Sequence, residues 1–281
     1  MDRLLVVDGS NLLFQMFFGM PARIVNHRGE AIQGTMGFVG ALLKILRRVQ
    51  PTHAAVVFDG QHANARSTLD ADYKANRVDY ADVPEAENPY SQLADVCAAL
   101  DHMGIYHAET TDCEADDWMA ACALRWGGAM EVVLSSFDSD LFQLVTPRVS
   151  VLRYRGEKTA VYTPEDVERR FGVSPERYAD FKALTGDKAD HIPGVRRIGP
   201  KTAAALIARF GTLEQLLSRA EKIEKSAVRQ AVIDAAERLR LNCRLIRLTG
   251  DAPLPFDISD LEFVDKGWTT GSVLRAIGLK E

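Results

Sequence analysis

The sequence predicts an α/β fold, with a mainly parallel β-sheet covered by helices and a helical C-terminal part. Short apolar runs rich in β-branched residues recur at Leu4–Val7, Ala54–Phe58 and Val132–Leu134, and such runs are typical of buried strands. Stretches with helical periodicity separate them. Strands that are apolar throughout and alternate with helices indicate a parallel sheet with both faces covered. After residue 162 the pattern is mainly helical.

Three helices are predicted in the first part of the chain. The apolar residues of Gly37–Val49 follow the three- and four-residue spacing of one helix face: Phe38, Leu42, Ile45, Leu46 and Val49. Tyr90–Met103 and Ala115–Trp126 have the same pattern. Arg77–Pro89 has little periodicity, which predicts a loop or an arch between helices.

The second part begins with a helix start at Thr163-Pro164, because Thr is a common N-cap and Pro is favoured at the first helical position. Further helices are predicted over Pro175–Leu184, Pro200–Arg209 and Ser226–Ile246. We therefore predict an α/β domain over residues 1–162 and a helical domain over residues 163–281.

Composition excludes several classes of protein. The chain has 281 residues, 47% hydrophobic and 26% charged, as in ordinary globular proteins. Its four cysteines form no C-x-x-C motif, which favours a reducing compartment. The longest charge-free stretch, Gly9–Ala22, is too short to span a bilayer, and Asp2 and Asp8 bracket the early apolar run. Membrane, secreted, fibrous and disordered classes are therefore not expected.

The net charge of −5, from 34 Lys and Arg against 39 Asp and Glu, argues against a simple nucleic-acid-binding module. The charge is unevenly distributed, however. Residues 163–250 contain 17 Lys and Arg against 12 Asp and Glu, whereas the remainder contains 17 against 27. His191–Leu213 contains four cationic residues and no acidic one. This asymmetry indicates two tasks, although an uneven solvated surface would explain it as well.

Aspartates follow all three predicted strands. Asp8 and Asp59 come directly after their strands, and Asp138 and Asp140 follow the third after a short connection. Because ligands of open parallel sheets bind outside the carboxyl ends of the strands, these acids should converge on one edge. A single strand-end Asp is often only a helix N-cap. Three such positions in one chain favour a site.

Two further acidic groups extend this set. Glu114, Asp116 and Asp117 begin a predicted helix, where acids would also be explained by the helix dipole. Asp187 and Asp190 are three residues apart and share one face if their turn is helical.

Nine clustered carboxylates require cations, because like charges raise one another's pKa. Oxygen ligands without clustered Cys or His favour Mg²⁺ or Mn²⁺. Two such ions roughly 3.5–4 Å apart would stabilise the attacking and leaving oxygens of phosphodiester hydrolysis. Ser10, Ser135 and Ser136 have no histidine base nearby in the sequence, so a serine hydrolase is not favoured.

Gly194–Thr202 is similar to a G-x-x-x-x-G-K-[ST] phosphate loop, but Pro200 interrupts the motif and no strand precedes it. Two helices joined by a glycine-bearing turn fit better, with Pro200 at the first helical position. The free N–H groups near Thr202 would suit a backbone phosphate. Three cations of the turn would add sequence-independent attraction to DNA: Arg196, Arg197 and Lys201. The alternative is an ordinary helix hairpin with a solvated basic turn.

A second candidate for nucleic-acid binding is Tyr73–Arg77, with Arg66 seven residues before the tyrosine. An aromatic side chain beside cations can stack on a base while the cations bind phosphates. Any amphipathic surface helix could show this pattern, so alone it is not specific.

Taken in order, these segments resemble the 5′-nuclease (flap endonuclease) superfamily, and most closely the 5′–3′ exonuclease domain of bacterial DNA polymerase I and its stand-alone relatives. The resemblance covers nearly the whole chain. It rests on six motifs: Val7–Ser10, Phe58-Asp59, Tyr73–Arg77, Glu114–Asp117, Asp138–Asp140 with Gln143–Val145, and Gly186–Ala203. It implies a PIN-like nuclease core, a helical arch at about residues 63–103 and a helix–three-turn–helix at about residues 182–210.

The resemblance also implies a role for each matching residue. The first metal cluster would be Asp8, Asp59, Glu114, Asp116 and Asp138, and the second would be Asp117, Asp140, Asp187 and Asp190. Lys74 and Arg77 match residues that contact the scissile phosphate at the base of the arch. The helix–three-turn–helix of the family holds duplex DNA and often a potassium ion. Its predicted DNA contacts here are Gly194, Arg196, Arg197, Gly199, Lys201 and Thr202, in addition to Arg66 and Tyr73.

Four departures from the family pattern stand out. Gln15 replaces a common arginine, Phe137 a common glycine before Asp138, and His191 the usual asparagine after Asp190. The segment after Arg77 lacks the usual proline-rich run, which bears on the shape of the arch.

We therefore predict a divalent-metal-dependent nuclease of DNA replication or repair that binds branched or 5′-ended DNA and hydrolyses a phosphodiester near the 5′ end. Its catalytic residues would be Asp8, Asp116, Asp138, Lys74 and Arg77. Three alternatives remain open: a PIN-like metal ribonuclease, a catalytically weak structure-specific DNA-binding protein, and a phosphatase that uses Asp138–Asp140. With residue 281 as the end, no polymerase domain is expected. We expect a cytoplasmic, nucleoid-associated monomer that works alongside a separate DNA polymerase.

Overall fold

A computed structural model describes residues 2–20, 22–60 and 65–281. In these ranges six strands form one sheet in the order β3-β2-β1-β4-β5-β6. The strands are β1 (Arg3–Asp8), β2 (His53–Phe58), β3 (Tyr106–Glu109), β4 (Glu131–Ser135), β5 (Val149–Arg153) and β6 (Ala160–Tyr162). Neighbouring strands are parallel, apart from the antiparallel pair β5 and β6. The predicted mainly parallel sheet is confirmed.

The sequence predicted β1, β2 and β4 but not the other three strands. β3 and β6 lie at the edges of the sheet, where a strand has only one neighbour and its residues are only partly buried. β3 accordingly has the sequence Tyr-His-Ala-Glu, which contains no apolar run. In β5, Ser150 interrupts the apolar residues.

The helices of the first part are α1 (Gly9–Gly19), α2 (Gln33–Val49), α3 (Ala65–Leu69), α4 (Leu93–Met103) and α5 (Ala115–Trp126). α5 has the predicted bounds, and α2 begins four residues earlier than predicted. α4 begins later than predicted, because Pro89–Gln92 forms a 3-10 turn in which the Asn88 side chain accepts a hydrogen bond from the N–H of Tyr90. α1 was not predicted.

The second part contains α6 (Pro164–Phe171), α7 (Tyr178–Thr185), α8 (Pro200–Phe210), α9 (Leu213–Ser218), α10 (Ser226–Asp234), α11 (Ala236–Ile246) and α12 (Thr270–Ala276). The prediction of one helix over Ser226–Ile246 was wrong. Ala235, at φ −92° and ψ 5°, separates α10 from α11, and α11 packs on α7 while α10 packs on the turn at Ala220–Lys222.

Two apolar cores cover the two faces of the sheet, because successive side chains of a strand point to opposite faces. Leu4 and Val6 of β1 belong to the core that includes α5 and the helices α6–α11. Leu5 and Val7 belong to the core that includes α2, α4 and α12. The helices α6–α11 therefore share an apolar core with the sheet. The carboxyl ends of the strands lie between the helices that cover its two faces.

The domain boundary predicted at residue 162 lies between β6, which ends at Tyr162, and α6, which begins at Pro164; the division into domains stays a prediction. The start of the predicted arch, residues 63 and 64, lies outside the described residues. The rest of the arch consists of α3, a series of turns, two 3-10 turns and α4. Across the described ranges, no helix is long and apolar enough to cross a membrane.

Candidate active site

The site is built on three aspartates at the carboxyl ends of neighbouring strands. Asp8 ends β1 and caps α1, because its Oδ1 accepts the N–H of Asn11 at 2.9 Å, while its Oδ2 accepts the hydroxyl of Ser136 at 2.7 Å. Asp59 follows β2, and Asp138 lies three residues after β4. The strand order places β1 between β2 and β4. These three aspartates, which are far apart in the sequence, therefore lie together at the carboxyl ends of three adjacent strands.

The start of α5 supplies the next three carboxylates. The backbone N–H of Glu114 donates to Asp117 at 3.1 Å in a capping box, which fixes the first turn of the helix. Asp59 receives the N–H of Ala115 at 2.9 Å and thereby joins β2 to α5. The N-terminal position of these acids favours their charged form through the helix dipole.

Arg66 of α3 lies among the same carboxylates. Its guanidinium binds Asp117 through two nitrogens, at 2.6 and 3.1 Å, and binds Glu114 at 2.5 Å and Asp116 at 3.3 Å. Only 11% of the Arg66 side chain is exposed. Tyr73 is also buried, and its hydroxyl donates to Glu114 at 3.0 Å.

The structure therefore places Arg66 and Tyr73 differently from the DNA contact predicted for them. Both side chains are buried, and their polar atoms serve the acidic cluster. An aromatic residue next to cations has the same sequence pattern in a buried cluster as on a DNA-binding surface, which is why the sequence did not separate the two cases.

Lys74 and Arg77, predicted to contact the scissile phosphate, do line the acidic cavity. The Lys74 ammonium pairs with Glu114, and the Arg77 guanidinium lies 3.1 Å from Asp190. Arg77 is half exposed, whereas only 13% of the Lys74 side chain is exposed.

One cation of the site, Lys182, was not predicted from the sequence. Lys182 of α7 is buried, and its ammonium pairs with both Asp140 and Asp187 and donates to the hydroxyl of Ser139 at 2.8 Å. A buried lysine requires such partners. The available signal was a lysine inside the otherwise apolar sequence Phe181-Lys182-Ala183-Leu184.

One cavity of about 510 Å³ brings most of the predicted acids together. Seven of the nine carboxylates line it: Asp8, Asp59, Glu114, Asp116, Asp138, Asp187 and Asp190. Asp140 and Asp117 do not, because Asp140 is buried against Lys182 and Asp117 binds Arg66. Phe14, Tyr80 and Tyr90, which sequence analysis also missed, form an aromatic cluster in the wall, with ring centroids 5.2–5.7 Å apart.

Burial and crowding disturb the ionisation of these carboxylates. Burial, with the charges of Asp59 and Asp138, raises the pKa of Asp8 to about 7. Burial also raises the pKa of Asp116 well above its usual value. Glu114 differs, because Lys74 and Arg66 outweigh the effect of its burial and lower its pKa.

The carboxylates around Lys182 respond in opposite directions. Burial raises the pKa of Asp140 to about 7 against the lowering effect of Lys182. For Asp187, the attraction of Lys182 outweighs burial and lowers the pKa. The three nearby carboxylates Asp140, Asp138 and Asp187 outweigh the burial of Lys182 and raise the pKa of its ammonium.

The donor set fits a hard divalent cation in its chemistry. All nine predicted ligands are carboxylates, and among the described residues Asp8, Asp59 and Asp138 form no ion pair with a cationic side chain. Oxygen-only sites of this kind suit Mg²⁺ and Mn²⁺. Over residues 2–20, 22–60 and 65–281, no three acidic, histidine or cysteine side chains lie close enough together, in their present positions, to bind one metal ion.

The predicted basic hairpin is formed by α7, the turn at 186–199 and α8. Gly186 and Gly194 pack so closely that a Cβ on Gly194 would lie 2.2 Å from the carbonyl oxygen of Thr185. Pro200 occupies the first turn of α8, as predicted, and Gly199 is the N-cap. The predicted DNA contacts of this hairpin lie at its surface, with Thr202 half-buried and the others exposed: Gly194, Arg196, Arg197, Gly199 and Lys201.

The departures from the family pattern have local explanations. The Gln15 amide donates to the carbonyl of Tyr154 at 2.8 Å and does not line the cavity. Phe137 lines the cavity, and the guanidinium of Arg155 lies 5.0 Å from the centre of its ring. The segment without a proline-rich run packs on α1 through Tyr80 and Phe14.

Comparison with known families agrees with this architecture. The family model of the 5′–3′ exonuclease N-terminal, resolvase-like domain matches residues 3–172. The model of the 5′–3′ exonuclease C-terminal SAM fold matches residues 173–267. The chain belongs to the 5′–3′ exonuclease family. The predicted family and fold class are thereby confirmed.

Two relatives show how the family members are built. The thermostable DNA polymerase I of Thermus filiformis is 37% identical over 260 residues, which is 92% of this chain and 30% of that protein. The 5′–3′ exonuclease of Aquifex aeolicus is 31% identical over 264 residues, which is 93% of this chain and 87% of that protein. The chain thus spans about a third of the length of the polymerase relatives.

Solved structures have the same fold. The T5 5′-exonuclease with bound zinc ions has a TM-score of 0.72 and 25% identity, over 88% of this chain and 89% of that chain. The catalytic core of Rad2 in complex with a DNA substrate has a TM-score of 0.60 and 16% identity, over 99% of this chain and 88% of that chain. At that identity the likeness to Rad2 shows the fold alone.

Proposed function

We propose that this nuclease hydrolyses phosphodiester bonds near the 5′ end of flapped, nicked or 5′-ended DNA, with two divalent ions, Mg²⁺ or Mn²⁺, as cofactors. The observation that carries the proposal is the single cavity where seven carboxylates and the cations Lys74 and Arg77 meet. Such a cavity combines ligands for hard cations with groups that bind a phosphate.

The residues divide into two proposed groups of metal ligands. The first ion would be held by Asp8, Asp59, Glu114, Asp116 and Asp138, and the second by Asp117, Asp140, Asp187 and Asp190. Of the second group, Asp117 and Asp140 do not line the cavity and would have to exchange their ion pairs with Arg66 and Lys182 for the metal. When bound, divalent ions supply a nucleophilic water at neutral pH and neutralise charge on the phosphate. Lys74 and Arg77 would hold the scissile phosphate in the cavity and stabilise the charge that develops on its oxygens.

The exposed hairpin would bind duplex DNA without reading its sequence. Arg196, Arg197 and Lys201 lie at its surface, and the N-terminus of α8 presents backbone N–H groups and the positive end of the helix dipole to a phosphate. A potassium ion at this hairpin belongs to the same proposal. Replacing K⁺ by Na⁺ at equal ionic strength should then weaken DNA binding.

Product mapping tests the proposal directly. The purified chain is incubated with 5′-flap, nicked and single-stranded DNA and with an RNA of the flap sequence, in Mg²⁺ and in EDTA. We expect short products from the 5′ end of the flapped and nicked DNA in Mg²⁺, little cleavage of the RNA, and none in EDTA. Cleavage that persists in EDTA, or a preference for the RNA, would contradict the proposal.

Two variants separate catalysis from binding. Asp187→Ala should abolish cleavage and leave DNA affinity largely intact, because the Asp187 carboxylate lines the cavity, whereas the groups proposed to bind duplex DNA are the exposed cations Arg196, Arg197 and Lys201. Lys201→Glu should weaken DNA binding and reduce its salt dependence. Lys280→Glu makes the same charge change at an exposed position beside α12 and serves as the control. An Asp187→Ala variant with normal turnover, or equal effects of the two lysine variants, would count against these roles.

We further propose that the chain acts as a monomer in the cytoplasm, on nucleoid DNA and alongside a DNA polymerase. The polymerase part is supported by the relatives in which the matching region belongs to a DNA polymerase I. Sedimentation analysis of the purified chain tests the monomer, and fluorescence imaging of a tagged chain tests the location. A stable dimer or a signal outside the nucleoid would oppose the respective part.

A further inference from the structure

Two turns with unusual backbone conformations meet beside the cavity. Lys74, in the turn after α3, has a φ of 57°, and His191, directly after Asp190, has a φ of 58°. Non-glycine residues adopt this left-handed conformation at an energetic cost, so surrounding contacts must maintain it. Such positions concentrate at functional sites.

Reciprocal hydrogen bonds join these two turns. The backbone N–H of Lys74 donates to the carbonyl of Asp190 at 3.0 Å. In return, Nδ1 of His191 lies 2.9 Å from the carbonyl oxygen of Asp72. Because a carbonyl oxygen only accepts, Nδ1 must be the protonated nitrogen of this bond. The side-chain amide of Asn76 adds a weaker contact to the carbonyl of Lys188, at 3.3 Å.

These bonds hold the backbone that carries Lys74. The Lys74 ammonium pairs with Glu114 at the cavity wall, and Arg77 in the same turn pairs with Asp190. If the backbone of Lys74 could move, its ammonium would be held less well in this position, because the position of the Cα limits where the side chain can place it. The His191 ring is the side-chain group that binds the carbonyl two residues before Lys74.

We infer that His191 is a positioning residue, whose Nδ1–H holds the Asp72 carbonyl and so presents Lys74 to the scissile phosphate. The inference rests on the role proposed for Lys74. Asparagine, which the family resemblance predicts at this position, carries its amide nitrogen on Cγ as histidine carries Nδ1. It also tolerates the left-handed conformation, so it can donate the same bond.

The test measures single-turnover cleavage of a 5′-flap DNA at saturating enzyme, with DNA affinity measured separately in EDTA. We expect His191→Ala to lower the cleavage rate about tenfold and to change the affinity by less than about twofold. His191→Gly, which removes the bond but accepts the backbone conformation without strain, should show the same loss. His191→Asn should restore the rate to within about threefold of the original.

A double variant separates positioning from general stability. Because His191 acts through Lys74, Lys74→Ala with His191→Ala should cleave no more slowly than Lys74→Ala alone. A further tenfold loss in the double variant, a normal rate in His191→Ala, or an His191→Asn variant as slow as His191→Ala would each overturn the inference. If Lys74→Ala itself cleaves normally, the role proposed for Lys74 fails and the inference with it. If Lys74→Ala is slow and His191→Ala is normal, the inference alone fails.

Discussion

Replacing Asp8 by asparagine should stabilise the metal-free protein while it abolishes cleavage. Burial and the neighbouring charges of Asp59 and Asp138 raise the pKa of Asp8 from 3.8 to about 7. The ionised carboxylate is therefore destabilising in the folded protein when no cation is bound. Asparagine removes the charge, keeps an oxygen for the N–H of Asn11, and can donate to the hydroxyl of Ser136.

The size of the effect follows from the shift in pKa. A shift of about 3 units corresponds to about 4 kcal/mol, at about 1.4 kcal/mol per unit. Asp8 borders the cavity and is screened by water on that side, so we expect about half of this, or about 2 kcal/mol.

The pH dependence has a defined sign. Since the pKa of Asp8 is higher in the folded than in the unfolded chain, folding is favoured at this group below pH 4, and that contribution is lost as the pH rises to about 7. The advantage of Asp8→Asn should therefore be about 2 kcal/mol at pH 8 and below about 1 kcal/mol at pH 5.

Urea unfolding in EDTA at the two pH values measures this difference. Asp2→Asn, at an exposed carboxylate just before β1, is the control and should leave the unfolding free energy unchanged at both. If Asp8→Asn is no more stable than the original protein at pH 8, or if its advantage is the same at pH 5, the reasoning about the buried charge is refuted.

Three further predictions concern the hairpin and the metal ions. Gly194→Ala should lower the unfolding free energy, measured by urea titration, by at least about 2 kcal/mol, because the new Cβ would lie 2.2 Å from the carbonyl oxygen of Thr185. The control is Gly199→Ala, whose new Cβ would have no atom within 4 Å. This variant should unfold with nearly the original free energy. Asn242→Ala should cost about 2–4 kcal/mol, because the fully buried amide donates to the carbonyls of Ala183 and Pro193; a loss below about 0.5 kcal/mol would contradict this. Removing metal with EDTA should abolish cleavage and lower the melting temperature, and added Mn²⁺ should restore both; calorimetry that detects no heat of Mn²⁺ binding would contradict this.

The strand-end carboxylates could be predicted because the relevant information is local. An apolar run followed by Asp gives both the strand and the position of the acid at its end, as for Asp8 and Asp59. The parallel order of the strands then brings these ends together without any knowledge of side-chain packing. The bounds of α5 were predictable for a similar reason, since its acids cap the first turn and its apolar residues follow one face.

The counter-ions of the site were not predictable in this way. Lys182 lies on α7, which follows Asp140 in the sequence and precedes Asp187. The ion pairs of Lys182 with these two carboxylates therefore depend on how the helix packs, which the sequence pattern does not show. Arg66 was expected at a DNA surface and instead binds three carboxylates of α5. Whether a cation faces solvent or a buried acid depends on tertiary packing, which periodicity does not specify.

The overall charge of the sequence gains its meaning from these pairings. Four cationic side chains bind six of the nine predicted ligands: Glu114, Asp116, Asp117, Asp140, Asp187 and Asp190. The remaining three, Asp8, Asp59 and Asp138, form no ion pair within the described ranges, and they lie at the ends of or just after three adjacent strands. Negative charge that no cationic side chain neutralises is thus concentrated at the carboxyl ends of these strands, where the first ion is proposed. A net charge of −5 is therefore compatible with a DNA-binding nuclease, because the surface of the hairpin and the interior of the cavity carry opposite charges.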